Sequence, residues 1–146
     1  MTNNNSVNRR WVEIPLWPLA GLGDAGGEDS APFEDILPHE KARYLGVIQE
    51  HILPYMARID AASMEKLKRS LAYYLNLPDT PWGAICETLY MPFENPEDPR
   101  DFFLWIWEEA FPGESWAVNV NNFEVNDDIT EPQRSIRLSP RASTTG

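Results

Sequence analysis

The sequence predicts an α+β domain: about four helices sharing one core with a small antiparallel sheet built on a C-terminal hairpin. Three observations lead there. Apolar residues recur at helical spacing between residues 38 and 75. Two Thr/Asp-Pro pairs, Thr80-Pro81 and Asp98-Pro99, read as helix starts. Alternating apolar residues flank Asn121-Asn122 near the C-terminus. The 146 residues fit one domain, and a hydrophobic content of 42% with six Trp is enough for a real core.

Residues 1–9 are Asn-rich and polar and are expected to be disordered. The acidic domain itself is placed at residues 10–129. In Trp11 to Leu16, Val12, Ile14 and Leu16 alternate with Trp11, Glu13 and Pro15, which predicts a short strand ended or confined to an edge by the proline. Gly21 to Ser30, with four glycines and three acids, predicts a loop.

The first helix is expected from Pro38 toward Arg58. Leu45, Ile48, Ile52, Tyr55 and Ile59 draw one stripe at spacings of 3, 4, 3 and 4. Pro54 lies inside it and is expected to kink or split it. A second helix runs from Ser63, as N-cap, to about Leu75, and the short Asp60-Ala61-Ala62 link predicts antiparallel packing of the two. Thr80-Pro81 opens a third helix carrying Trp82, Ile85, Cys86 and Leu89. A proline-rich acidic connector, Pro92 to Asp98, precedes a fourth helix over Arg100 to Phe111, stopped by Pro112-Gly113. Val118 and Val120 then face Val125 and Phe123 across an Asn121-Asn122 turn. Residues 130–146 read as a flexible basic tail.

No motif carries recognised chemistry. Gly21-Leu22-Gly23-Asp24-Ala25-Gly26 matches a dinucleotide fingerprint, but Pro18 interrupts its lead-in and no helix start follows. His39-Glu40 would open a zinc-protease motif whose second histidine is replaced by Arg43. Cys86 is mid-helix beside Glu87, which disfavours a thiolate. The oxygen-rich run Glu94 to Asp101 lacks the glycine of a calcium loop. Glu108 and Glu109 are adjacent on a helix, about 100° apart, and do not face each other. No catalytic residue, cofactor or metal is expected.

Charge is the informative feature. The net charge is -11. All 23 acids lie between Glu13 and Glu131, and from Asp79 to Glu131 there are 13 acids against one base, Arg100. Such a field repels nucleic-acid phosphates and acidic membranes and attracts basic proteins. The longest apolar run, Phe102 to Trp107, is far short of a membrane span. The N-terminal residues lack the apolar stretch of a secretory signal, and the lone cysteine fits a cytoplasmic setting.

The expected function is a non-catalytic inhibitor or immunity-type protein that covers a basic partner, such as a toxin nuclease or another nucleic-acid enzyme, with no direct nucleic-acid contact. Its expected partner surface is Glu94, Glu97, Asp98, Asp101, Trp105, Trp107, Glu108, Glu109, Glu114, Asp127 and Asp128, combining acids that steer with aromatics that anchor. An accessory or adaptor subunit of a larger assembly, docking through the basic tail, is the alternative. A nucleic-acid mimic from a mobile element, acting on a defence nuclease, is a second.

Overall fold

Trp11 to Leu16 are buried on every side, and this sets the architecture. The computed structural model describes residues 5–20, 33, 36–89 and 91–139. The segment is not a strand. Arg9–Leu16 forms a 3₁₀ helix whose N-cap, Asn8, accepts a hydrogen bond from the Arg10 amide at 2.9 Å. The two-residue alternation misleads here because both faces are buried: Trp11 is 1% and Glu13 9% exposed, beside Val12, Ile14 and Leu16 at 0%.

The described chain is mainly helical. α1 (Lys41–Val47) runs through a π-helical turn (Ile48–Ile52) into α2 (Leu53–Met56). Pro54 explains the turn. It has no N–H to donate, and its ring crowds the carbonyl four residues earlier. The helix accommodates it by widening, and the Leu53 amide donates to the Ile48 carbonyl five residues back. The ordinary spacing resumes with the Ala57 amide on the Leu53 carbonyl at 2.9 Å. The expected kink is therefore a bulge, and α1 starts at Lys41 rather than Pro38.

α3 (Ala61–Leu75) is capped by Asp60, whose carboxylate accepts from the Ser63 amide at 3.1 Å. Ser63, expected to be the cap, is a first-turn residue instead. The helix buries Leu67, Leu71 and Leu75 chiefly against the 3₁₀ helix, rather than pairing mainly with the helix before it. α4 (Trp82–Thr88) follows Pro81. Thr80 does not cap it, because its hydroxyl is turned back onto the Tyr74 and Leu77 carbonyls.

α5 (Pro99–Ala110) matches the sequence expectation closely. Asp98 caps it, Pro99 occupies the first turn, and Gly113 follows at a positive φ of 80°. Phe102, Phe103, Ile106 and Trp107 are buried, each such apolar side chain contributing about 1.5–3 kcal/mol. Trp82 of α4 lies on Phe103 with ring centroids 4.4 Å apart.

The antiparallel hairpin is absent. Val120–Asn122 forms a single 3₁₀ turn. The sheet consists of β1 (Ser6–Val7) and β2 (Glu124–Val125), paired in parallel, Ser6 with Glu124 and Val7 with Val125. Asn121-Asn122 reverses the chain as a helical turn, and β2 finds its hydrogen bonds on the N-terminal segment. The α+β assignment thus gives way to a helical architecture with a minimal parallel sheet.

Both chain ends are docked where described. Asn8 is 2% exposed; its amide donates to Ser70 Oγ and its side chain to the Asp128 carbonyl and the Glu131 carboxylate. Residues 130–139 are no loose tail. α6 (Glu131–Ser135) anchors through Glu131, which also accepts from the Trp11 indole at 3.2 Å. Leu138 then bridges antiparallel to Ile59, and the Arg137 amide donates to Asp60 at 2.7 Å. These buried polar groups of the N-terminal segment need partners, and the C-terminal segment supplies them.

Candidate functional site: an acid-rimmed apolar groove

The connector between α4 and α5 folds back across the end of α4 and leaves a groove of about 340 Å³. Its floor is Cys86, Met91 and Phe93; its rim is Glu87, Glu94 and Asn95. Pro92 and Pro96 are buried and stiffen the connector. The hydroxyl of Tyr44, a fully buried residue of α1, donates to the Glu94 carbonyl at 2.6 Å. Phe93 is half-buried among rings, 5.5 Å from Tyr44, 5.6 Å from Phe102 and 6.3 Å from Phe33. The groove is thus held by the Tyr44 hydrogen bond, two buried prolines and the ring contacts of Phe93.

Glu87 and Glu94 are exposed, and neither forms an ion pair among the described residues. Their field is felt below. Burial, then Glu87, pushes the Cys86 thiol up to about 12. Burial, then Glu94 and Glu40, pushes the Tyr44 phenol up to about 12. Cys86 is therefore a packed thiol, 3% exposed and held in its neutral form. A bound cation would meet the opposite circumstance, two carboxylates without counterions above an apolar floor.

The residues expected at the partner surface are divided among several places. Glu94, Glu97 and Asp98 sit exposed on the connector, with Asp98 also capping α5. Asp101 is half-buried in the first turn of α5. Trp105 is half-buried against Tyr44 at 5.7 Å, with the Lys41 ammonium 5.5 Å from its ring. Trp107 is 3% exposed and donates its indole N–H to the Glu114 carbonyl at 2.8 Å, so it is a core residue and not an anchor. Glu108 is exposed. Glu109 accepts from Gln49 at 2.7 Å and lines a different, apolar groove with Leu53, Met56, Met64 and Phe111. Glu114 is paired with Lys68, and Asp128 with Arg134. Asp127 is exposed just after β2.

Several aromatic side chains of this half of the chain are engaged within the molecule. Trp105, Phe111 and Trp116 each hold one of the protein's own cations over the ring: Lys41, Lys68 and Arg100. Phe93 carries none among the described residues. Sequence reasoning missed Glu87 and Met91. Their only signal is that Glu87 and Glu94 bracket Pro92, a proline that turns the chain back.

The remaining motifs stay apart. The glycine fingerprint at residues 21–26 lies outside the described residues. His39 and His51 are exposed, and His51 stands edge-on to Phe33 at 5.2 Å. Among the described residues no group of three or more His, Cys, Asp or Glu side chains is arranged to hold a metal, and no helix is long and apolar enough to cross a membrane. No protein-family model, curated protein or solved structure matches the chain.

Proposed function

We propose that this protein is a non-catalytic binder that covers a basic protein partner, seating a lysine or arginine side chain of that partner in the groove between Glu87 and Glu94. The observation that carries this reading is the pairing of two unneutralised carboxylates with the apolar floor of Met91 and Phe93. A long basic side chain has matching parts, an aliphatic stem for the floor and a charged head for the rim. The excess of acids from Asp79 to Glu131 supplies the longer-range field that speeds encounter with such a surface. A cationic active site, as in a nuclease, is the class of target this would block. The accessory-subunit alternative rested on a free basic tail, and it has less support because residues 130–139 make their contacts within the molecule.

The test is parallel capture from host extract at low salt by the native protein and by a Glu87→Gln/Glu94→Gln variant. A basic protein retained only by the native form, with an association rate that falls about tenfold in the variant and falls with added salt, supports the reading. Equal retention and equal rates for both forms would overturn it.

A further inference from the structure

A second cleft lies on the N-terminal 3₁₀ helix, and its chemistry differs from that of the acidic groove. In a 3₁₀ helix residues three apart eclipse one another. Arg10 and Glu13 therefore stand on one face, joined by an ion pair at 3.0 Å. They form the polar end of a cleft of about 340 Å³. Trp17, Leu89, Ile129 and Pro132 make its walls, and Gln133 stands among the lining residues. That volume lies within the range of small-molecule sites.

The ion pair is incompletely saturated. Glu13 is only 9% exposed, yet its Oε1 accepts no hydrogen bond from any described residue. The Arg10 guanidinium has five N–H donors, of which one, on Nη1, is engaged with Glu13. The Arg10 side chain is 37% exposed, so its remaining donors face solvent at the mouth of the cleft and are available to a ligand. Each half of the pair thus has spare capacity of opposite sign, side by side. An anion alone would be repelled by Glu13, and a cation alone by Arg10. A zwitterion satisfies both, its carboxylate on Arg10 and its ammonium on Glu13.

The walls define the rest of the ligand. Ile129 is 62% exposed, a large apolar side chain held in water beside the half-buried Trp17. An apolar group entering between them would remove both surfaces from solvent. We propose that this cleft binds a free α-amino acid with an apolar side chain. A residue within a peptide chain lacks the adjacent ammonium and carboxylate that the ion pair calls for. Because Ile129 and Pro132 belong to the C-terminal segment and Arg10 to the N-terminal one, an occupied cleft would also fasten the two segments together.

Calorimetric titration of the intact protein with L-leucine and L-phenylalanine tests this, with N-acetyl-L-leucine and L-leucinamide as probes lacking one charge each. Saturable binding of the free amino acids with a Kd below about 1 mM is expected, weakened at least about tenfold for each blocked analogue. Glu13→Gln and, at an exposed position that leaves folding intact, Ile129→Asp should each abolish it. Absence of saturable binding, equal binding of the blocked analogues, or binding unchanged in Ile129→Asp would overturn the proposal. None of these outcomes depends on the acidic groove.

Discussion

The Tyr44 hydroxyl donates to the Glu94 carbonyl at 2.6 Å, and this bond ties the acidic connector to the buried face of α1. Tyr44→Phe keeps the ring and removes the donor. The expected cost is about 1–2 kcal/mol in urea denaturation, from a lost hydrogen bond and a carbonyl left short of a partner. Affinity for a basic partner should fall in parallel, because Glu94 would no longer be held over the groove. Unchanged affinity would separate the connector's geometry from binding.

Glu131 is one polar link between the N-terminal and C-terminal segments. It accepts from Asn8 at 3.1 Å and from the Trp11 indole at 3.2 Å. Trp11 is 1% exposed, so Glu131→Ala leaves its N–H buried without an acceptor, at a cost of about 2–3 kcal/mol. Glu131→Gln keeps an acceptor oxygen and should cost about 1 kcal/mol or less. The lost ion pair with Lys66, 3.5 Å long and partly exposed, adds little. Thermal unfolding of the two variants distinguishes a hydrogen-bond role from a charge role.

Gly113 stops α5 at a φ of 80°, and a Cβ built there meets nothing within 4 Å. Any penalty for Gly113→Ala is therefore backbone strain and not a clash. It should be about 1–2 kcal/mol, and smaller for Gly113→Asn, which tolerates the left-handed region better. Equal stability of all three proteins would mean that the turn relaxes to another conformation.

Asp60 predicts an acid-sensitive joint. Slight burial acts to raise its carboxyl, but hydrogen bonds from Arg137 and Ser63 outweigh this and hold it below its ordinary value of 3.8. A depressed folded value means that the contribution is full above pH 3.8 and is lost as pH falls through the folded value. Below about pH 4, amide exchange at Arg137 and Ser139 should therefore accelerate before that of α3. In Asp60→Asn this acid-dependent step should vanish. A step that persists in the variant would assign it to other carboxylates.

Cys86 is buried, and its thiol is raised to about 12 by burial and then by Glu87. A disulfide reagent at pH 8 should label it only through opening of the structure. The labelling rate should rise with denaturant along the unfolding curve. Fast labelling in the absence of denaturant would show that α4 opens locally.

The extent to which the sequence determined this protein follows from how local each signal is. Asp98-Pro99 and Pro112-Gly113 bracket α5 because capping, proline geometry and glycine's left-handed freedom act within a few residues. Pro54 likewise marked a break in the helix, although its form, a π turn, depended on the helix continuing beyond it. The excess of acids over bases was fixed by composition alone. Tertiary structure decided the rest. Trp11 to Leu16 alternates as a strand does, but alternation reports one buried face, and this segment is enclosed on all sides. Val118 to Val125 would pair locally as a hairpin, yet Glu124 and Val125 bond to residues more than a hundred positions away. Residues 130–139 have a tail's composition, and only the unmet polar groups of Asn8 and Trp11 reveal why they are held. The candidate groove is of the same kind. Charge could be counted along the chain, but which carboxylates lack a counterion and which rings lack a cation depend on contacts between distant elements.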